Sequence, residues 1–176
     1  MVSLTLNGVQ FMAYSLAKGM MDWDEPIPAF ETRFPGKLES CLKTPFATFG
    51  ASDLYPTLSD KSAMLFYLMI KNHPFQNGNK RIAVTALITF LIINDKWLKI
   101  SNKDLYDIAL RVAKSGPQTK SLVVPVIKEI IESHLTELPQ ELNKLKNAQD
   151  WDFQSGPQPS ILRRVVFKKI GGMSAA

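Results

Sequence analysis

Two almost continuous apolar segments dominate the middle of the chain, and a short polar stretch separates them. Residues 63–70 form the first segment, which follows Ser59 and Asp60, two residue types that suit the start of a helix. Residues 82–93 form the second segment, which ends at Asn94. Each leaves almost no polar face, so the pattern predicts two helices that are buried nearly all round. Both are shorter than the roughly 20 apolar residues of a membrane span, which predicts core helices of a soluble protein.

Weaker helical patterns surround this pair. A polar start at Ser101 leads to apolar residues spaced i, i+3, i+4, i+7, namely Leu105, Ile108, Ala109 and Val112. A second stripe repeats that spacing with Val123, Val126, Ile127, Ile130 and Ile131. Both stripes predict helices that face the core. Residues 4–16 are also predicted to be helical, whereas residues 22–35, rich in proline and acidic residues, predict a loop.

The composition fits a single soluble domain. The chain has 176 residues, of which 45% are hydrophobic, enough to bury a substantial core. One cysteine, Cys41, cannot form an intrachain disulfide, and the N-terminus lacks the basic and apolar regions of a secretory leader. We therefore expect a cytoplasmic protein without a membrane segment, in which Cys41 is a packing residue and not a nucleophile.

The polar stretch HPFQNGNKR, residues 73–81, carries the candidate chemistry. Gly78 and Asn79 stand where the second helix begins, and the backbone N–H groups and positive dipole of such an end attract anions. Lys80 and Arg81 add two cations, and a glycine lets a ligand approach the backbone. Together these features predict a phosphate-binding site.

His73 lies at the other end of this stretch, where it faces the predicted anion site. Histidine can accept a proton from a hydroxyl nucleophile at neutral pH. Phe75, flanked by polar residues, is expected to point inward and hold the loop to the core. Taken singly, each feature has a structural explanation, because a lone histidine is usually a hydrogen-bonded structural residue and a Gly-Asn pair before a helix is usually a turn.

The whole stretch resembles the signature of the Fic/Doc (Fido) family, which reads His-x-Phe-x-Asp/Glu-Gly/Ala-Asn-Gly/Lys-Arg. Six residues match it: His73, Phe75, Gly78, Asn79, Lys80 and Arg81. The likeness extends to LESCL (38–42), FG (49–50), LYPTL (54–58) and IKNHPF (70–75), which look like the death-on-curing, or Doc-like, branch. This resemblance implies an all-α fold, a Fido-type helical bundle around a central helix pair, with a short β-hairpin flap.

The resemblance also implies a reaction, the transfer of part of a nucleoside triphosphate such as ATP, with Mg²⁺, to a target-protein hydroxyl. His73 would be the general base that deprotonates a Ser, Thr or Tyr of the target. Gly78 and Asn79 would hold phosphate oxygens. Lys80 and Arg81 would neutralise the charge on those oxygens, with Arg81 acting in the transition state. Phe75 would be structural.

Two departures from the family pattern bear on this reaction. Many relatives carry Asp or Glu as a metal ligand where this chain has Asn77, whose carbonyl oxygen can bind Mg²⁺ but brings no negative charge. The AMP-transferring branch continues Gly-Arg-x-x-Arg after the motif asparagine, whereas here Lys80 replaces the glycine and Val84 replaces the second arginine. The absence of that arginine favours Doc-like transfer of the γ-phosphoryl group.

A segment upstream of the motif resembles the flap on which family members align their targets. Its sequence, TPFATFG, has β-favouring threonine and phenylalanine, with proline and glycine as punctuation. Such a flap binds an extended target segment as an added strand, through backbone more than side-chain contacts. The docking residues would be Thr44, Pro45, Phe46, Ala47, Thr48, Phe49 and Gly50. An ordinary surface hairpin or loop is the alternative.

The chain changes character after Leu138, where proline and glycine become frequent. We place a catalytic domain at residues 1–138 and a basic C-terminal extension at residues 139–176, packed on the same domain or separate from it. The extension carries six Lys and Arg against three acidic residues. A solvated face is the usual explanation, and a docking surface for an acidic partner or for nucleic acid is the alternative. Direct binding to nucleic acid is not expected.

Three functions therefore compete. The leading one is a Doc-like protein phosphotransferase, the toxin of a toxin–antitoxin pair that a cognate antitoxin holds in check. The second keeps the fold and the base but transfers AMP. The third is a non-catalytic binding protein, in which Asn77 marks lost metal chemistry. The resemblance leaves room for a homo-oligomer.

Overall fold

The computed structural model describes residues 1–14, 17–18 and 26–147, and this part of the chain is mostly helical. Its α-helices are α1 Leu6–Gly8, α2 Pro35–Lys43, α3 Leu58–Lys71, α4 Asn79–Ile93, α5 Asn102–Lys114, α6 Lys120–His134 and α7 Gln140–Asn147. A π-helical turn and three 3-10 turns add Val9–Tyr14, Phe30–Thr32, Thr44–Phe46 and Pro117–Thr119. The predicted all-α fold with a central helix pair and a hairpin is confirmed.

The helix α3 forms the first half of the central pair. Its N-cap is Thr57, slightly before the predicted start at Ser59 and Asp60. Thr57 Oγ1 accepts the Asp60 N–H at 3.0 Å, and the Asp60 carboxylate accepts the Thr57 N–H at 3.0 Å. This reciprocal capping box satisfies two backbone donors that the first turn would otherwise leave unpaired. The side chains of residues 59 and 61–70 are then buried.

The helix α4 is buried even more completely, as the apolar pattern predicted. Every one of its residues except Lys80 is buried. Its two threonines satisfy their hydroxyls within the helix, since Thr85 Oγ1 donates to Ile82 O at 3.0 Å and Thr89 Oγ1 donates to Thr85 O at 2.7 Å. Within the described residues, no helix combines the length and the apolar composition that crossing a bilayer requires.

The helices α5 and α6 cover this pair. Ser101 caps α5 as predicted, and Leu105, Ala109 and Val112 are buried. In α6 only part of the predicted stripe faces inward, because Ile127 and Ile131 are buried whereas Val126 is 54% exposed. The core-facing prediction was therefore wrong for Val126, which lies on the helix one position from Ile127 and so about 100° away.

Two long side chains fasten these outer helices to α3. At its C-terminal end, Lys71 Nζ donates to Ser115 O at 2.6 Å and to Ala113 O at 3.3 Å, where it offsets the negative end of the α5 dipole. At its N-terminal end, Asp60 pairs with Lys128 of α6 at 2.8 Å.

Two short antiparallel ribbons complete the described part. The hairpin consists of β1 Thr48–Phe49 and β2 Ser52–Asp53, with Thr48 opposite Asp53. The second ribbon, β3 Lys96–Leu98 and β4 Leu135–Glu137, was not predicted. Strands of three residues that are this far apart in the sequence carry too short a pattern to be recognised.

The two ends of the chain agree with the sequence only as far as they are described. Near the N-terminus, α1 and the π-helical turn confirm helical structure, and residues 26–29 form a loop. Near the C-terminus, Leu138 and Leu142 are buried in the core, so the chain continues to pack past the predicted boundary at 138. The boundary itself stays a prediction. Residues 148–176 lie outside the described residues.

Candidate active site

The motif loop, residues 73–78, joins the C-terminus of α3 to the N-terminus of α4. Asn72 ends α3, and His73 then turns the chain with a φ of 46°. A positive φ is uncommon for a residue with a side chain, although histidine is among those that tolerate it. The turn leaves His73 exposed at the protein surface. Such a backbone conformation persists only where the surrounding structure holds it.

Asn79 provides that hold. Its Oδ1 accepts the Phe75 N–H at 2.9 Å, and its Nδ2 donates to Phe75 O at 2.8 Å. The same Nδ2 lies 3.5 Å from His73 Nδ1. The Asn79 side chain, which was predicted to bind phosphate, therefore hydrogen-bonds to the Phe75 backbone and lies beside His73. Any phosphate contact by Asn79 would come from its backbone N–H in the first turn of α4, and that role stays a prediction.

Phe75 anchors the loop from inside. Its side chain is 3% exposed, and its ring lies 6.1 Å from that of Tyr14 and 5.9 Å from that of Phe30. These distances are typical of attractive ring pairs in a core. On the other side, the Phe34 N–H donates to Pro74 O at 2.9 Å and ties the loop to the residue before α2. Phe75 therefore has the inward orientation that a structural role requires.

Position 78 requires glycine for two reasons, its backbone conformation and the close packing of a neighbouring side chain. Its φ is 77°, a conformation that glycine adopts at little cost. An added Cβ would lie 2.7 Å from Ile27 Cγ1, so another side chain would collide with the core. Ile27 fills the space on the side where a Cβ would stand, and the approach of a phosphate to the Gly78 backbone stays a prediction. Ile27 lies in the segment read as a loop, and no sequence signal marked it.

Asn77 sits at the half-buried edge of the loop. Its Oδ1, the atom predicted to bind metal, accepts the Gly78 N–H at 2.6 Å. Over the described residues there is no cluster of three or more His, Cys, Asp or Glu that could hold a metal ion. Among the described residues, the motif loop itself offers a divalent cation one neutral side-chain oxygen and no carboxylate, a donor set that does not by itself fit a resident Mg²⁺ site.

The two cations of the motif differ in exposure. Lys80 is half-exposed on the first turn of α4, while Arg81 is buried, 8% exposed. Both follow the helix end at which backbone N–H groups and the positive dipole attract anions. The surface at His73 thus combines a histidine, a helix N-terminus and an accessible lysine.

The predicted docking segment, residues 44–50, divides into two parts. Its first three residues form a 3-10 turn in which Pro45 is buried, and the Phe46 ring lies 6.1 Å from that of Phe90 in α4. Pro45 and Phe46 therefore anchor the hairpin to the core, and their role in target docking stays a prediction. The remainder enters β1, where Phe49 is 81% exposed, and turns at Gly50 with a φ of 61°.

Lys61 was missed by the sequence reasoning. It is 3% exposed, and its Nζ donates to Asp53 Oδ2 at 2.9 Å and to Pro45 O at 3.2 Å. No sequence signal marked it, because Lys61 stands among Ser59, Asp60 and Ser62 at the polar start of α3, where a lysine is usually solvated. Cys41, by contrast, is the predicted packing residue: burial raises the pKa of its thiol to about 11, which disfavours the reactive thiolate.

The sequence comparisons agree with this arrangement. The family model described as the Fic/DOC family matches residues 4–91, half of the chain. The chain is also similar to a protein named Toxin Doc from Mycolicibacterium smegmatis (strain ATCC 700084 / mc(2)155), with 44% identity over 59 residues. That match covers 34% of this chain and 45% of the relative, so the chain spans less than half of that protein's length. No solved structure matches the chain. Because the matched residues include α3, the motif loop and most of α4, the chain belongs to the Fic/DOC family.

Proposed function

We propose that this protein transfers the γ-phosphoryl group of ATP to a Ser, Thr or Tyr hydroxyl of a target protein. One observation carries the proposal: the exposed His73 lies with its Nδ1 3.5 Å from Nδ2 of Asn79, the first residue of α4. A candidate base and an anion-attracting helix end are therefore neighbours, as the reaction needs. Members of this family are generally transferases.

The proton and the phosphoryl group move in opposite directions in this reaction. As the target oxygen bonds to the γ-phosphorus, His73 takes the hydroxyl proton, and the bond from that phosphorus to the bridging oxygen breaks. ADP leaves with the electron pair, and the proton passes from His73 to solvent. Base catalysis of this kind contributes about 10²–10⁴-fold.

The charge on the nucleotide phosphates is balanced by the protein around the start of α4. The helix has 15 residues, long enough for a substantial dipole, and Lys80 extends from its first turn. Arg81, buried beside this end, adds positive potential in a low-dielectric setting. These groups stabilise charge that spreads over the phosphate oxygens in a loose transition state.

Mg²⁺ enters this proposal as part of the substrate. Proteins commonly hold Mg²⁺ through one or two carboxylates together with substrate phosphates. The motif loop offers Asn77 instead, whose Oδ1 already accepts the Gly78 N–H. MgATP would therefore arrive with its ion held by its own phosphates, and Asn77 would add a single neutral oxygen.

Phosphoryl transfer is favoured over AMP transfer by the residue that follows on α4. The position where AMP-transferring relatives carry a second arginine is Val84, which is 1% exposed. A buried aliphatic side chain cannot clamp a terminal phosphate. The similarity to Toxin Doc supports the further proposal that the protein acts as a toxin whose activity a cognate antitoxin blocks.

A non-catalytic binding protein is the second candidate function, and one observation favours it. The described part of the motif loop contains no carboxylate to recruit a metal ion. In this alternative, the loop would bind a nucleotide or a partner without turnover.

Parallel labelling with ATP separates these functions. The purified protein is incubated with a cell lysate and either α-labelled or γ-labelled ATP, and label is read on protein bands. His73→Ala should abolish γ-labelling with the fold unchanged, because the side chain is exposed. His134→Ala is the matched control, since the second histidine of the chain lies at the end of α6 and should leave labelling intact.

Each result decides between the candidates. Label from γ-labelled ATP alone, lost in His73→Ala only, supports the proposal. Transfer from α-labelled ATP would mean AMP transfer. No His73-dependent band with either nucleotide, in a preparation free of bound inhibitor, would favour the binding protein.

A further inference from the structure

A buried charge holds the hairpin in place. Lys61, on the second turn of α3, reaches both sides of the hairpin: its Nζ donates to Pro45 O at 3.2 Å before β1 and to Asp53 Oδ2 at 2.9 Å in β2. The same Nζ lies 4.8 Å from the centre of the Phe46 ring. An ammonium group buried to this degree is tolerated only with such partners, so the contacts are a requirement of the fold.

We infer that Lys61 is a positioning residue, which fixes the hairpin Thr48–Asp53 in the orientation that receives the target protein. The inference rests on the proposed function, because a docking role for the hairpin has meaning only if a target is modified. The hydrogen-bond partners of Lys61, Pro45 and Asp53, both lie outside the motif loop.

The hairpin needs such a fixture because it is very short. Its strands have two residues each, and a two-stranded ribbon of this length is at best marginally stable in water. The Leu54 N–H donates to Ala47 O at 3.0 Å, a further link between its two arms. Lys61 joins the entry and the exit of the hairpin to the same rigid helix. It therefore sets both the spacing of the arms and their angle to the protein.

Side chains alternate between the two faces of the hairpin, so the face opposite Lys61 is free for contacts with a target. Thr48 and Asp53 are partners in the register, and Asp53 points to Lys61. Phe49 and Leu54, on the other face, are 81% and 52% exposed. A target strand added at the edge of the hairpin would pair with its backbone and place its own side chains on this face beside Phe49 and Leu54, whereas the opposite face is fastened to α3 by Lys61.

The position of Lys61 makes the inference testable apart from the chemistry. Ten residues separate Lys61 from Lys71, or about 15 Å along a helix, and the motif loop begins beyond Lys71. A change at Lys61 should therefore act on the hairpin without moving His73. The expected result is weaker target binding with unchanged use of nucleotide.

The experiment compares Lys61→Met with wild type by two readouts. The first is chymotryptic cleavage after Phe49, identified by fragment mass, which reports hairpin order whether or not the protein is an enzyme. We expect cleavage to be about tenfold faster, because a loosened hairpin opens more often. The second is γ-label transfer in a diluted lysate, where half-maximal labelling should need about tenfold more lysate protein. The KM for ATP and the maximal rate should stay as in wild type.

Three further variants test whether the effect is specific to the contacts of Lys61. Asp53→Asn removes the charge partner on the exposed side, where folding is not at risk, and should shift both readouts in the same direction but less. Lys61→Arg keeps a buried cation and should restore part of both. Lys71→Met, on the same helix, should cost stability through loss of the α5 cap and leave cleavage after Phe49 unchanged.

Unchanged cleavage in both Lys61→Met and Asp53→Asn would overturn the inference, as would a raised KM for ATP with an unchanged lysate requirement. Absence of label in wild type would overturn the proposed function and with it the docking role of the hairpin, whereas the cleavage rates would separately decide whether Lys61 holds the hairpin in place.

Discussion

The motif loop and the hairpin are both short, and they are held in different ways. The loop is closed by Asn79, a residue four positions from its hydrogen-bond partner Phe75. The hairpin is held by Lys61, which lies 8 and 16 positions from Asp53 and Pro45. The residue that stabilises the loop belongs to the motif itself, whereas the residue that stabilises the hairpin belongs to the central helix α3. A change in the motif should therefore act locally, and a change at α3 should act on the hairpin.

The largest effect is expected when the fastening of the loop is removed. Asn79→Ala would leave the buried N–H and C=O of Phe75 without partners. Each such group costs roughly 1–3 kcal/mol, so the free energy of unfolding should fall by about 2–4 kcal/mol. Denaturant unfolding measures the loss, and labelling should fall as well, since His73 would lose its neighbour.

Asn72→Ala is the control for this prediction. Asn72 is a half-buried amide directly before the motif loop, and among the described residues its Nδ2 meets the weak acceptor Cys41 Sγ, at 3.7 Å. Its loss should cost less than about 1 kcal/mol. Equal losses in the two variants would show that the loop does not depend on Asn79.

A smaller effect is expected at Gly78, where the loop meets the core. Gly78→Ala combines an unfavourable φ of 77° with a Cβ placed 2.7 Å from Ile27 Cγ1, and should destabilise the fold by about 1–3 kcal/mol. If the collision matters, shortening the neighbour should relieve it. In Ile27→Ala, the added Gly78→Ala change should then cost at least about 0.5 kcal/mol less than in wild type. Strict additivity would leave backbone conformation as the sole cause.

The smallest effect concerns the end of α3 nearest the hairpin. Burial of the Asp60 carboxyl opposes its ionisation, but hydrogen bonds from Lys128 and Thr57 outweigh burial and hold its pKa below the ordinary value. A lowered folded pKa means that the carboxylate stabilises the fold above the unfolded pKa of about 3.9, and that this stabilisation is lost as pH falls through the folded value.

Asp60→Asn should therefore reduce the dependence of the free energy of unfolding on pH in the acid range. The asparagine keeps a side chain at position N3 that can still cap the helix. Wild type should lose more free energy of unfolding than the variant between pH 5 and pH 3, as measured by urea titration at each pH. Parallel losses in the two proteins would remove Asp60 from the acid response.

Sequence reasoning succeeded where the signals are local. The continuous apolar runs identified α3 and α4, and Gly78 was recognised at the boundary where α4 begins. The start of α3 was misplaced only slightly, because Thr57 and Asp60 cap it as a pair while the prediction considered Ser59 and Asp60 as neighbours. In these cases the residues that form the feature lie within one or two helical turns of each other.

The same reasoning failed where the structure of a segment depends on a partner that is distant in the sequence. The exposure of Val126 depends on which face of α6 meets the core, and the ribbon of β3 and β4 depends on two segments that meet only after folding. Pro45 and Phe46 belong to the same predicted docking segment as Thr48 and Phe49, yet the first pair is packed against Lys61 and α4. Periodicity describes one element, and it carries no information on the neighbour that element will contact.

By itself, the sequence therefore determined the helical character of the chain, its buried central pair and the motif that joins them, because chain-local propensities and hydrophobic burial require no knowledge of other elements. Only the tertiary structure decided that Asn79 closes the loop, that Ile27 fills the space beside Gly78 and that Lys61 holds the hairpin. Each of those contacts exists because the folded backbone brings particular atoms to bonding distance, and the requirement that buried polar groups find partners selects among the contacts that become available.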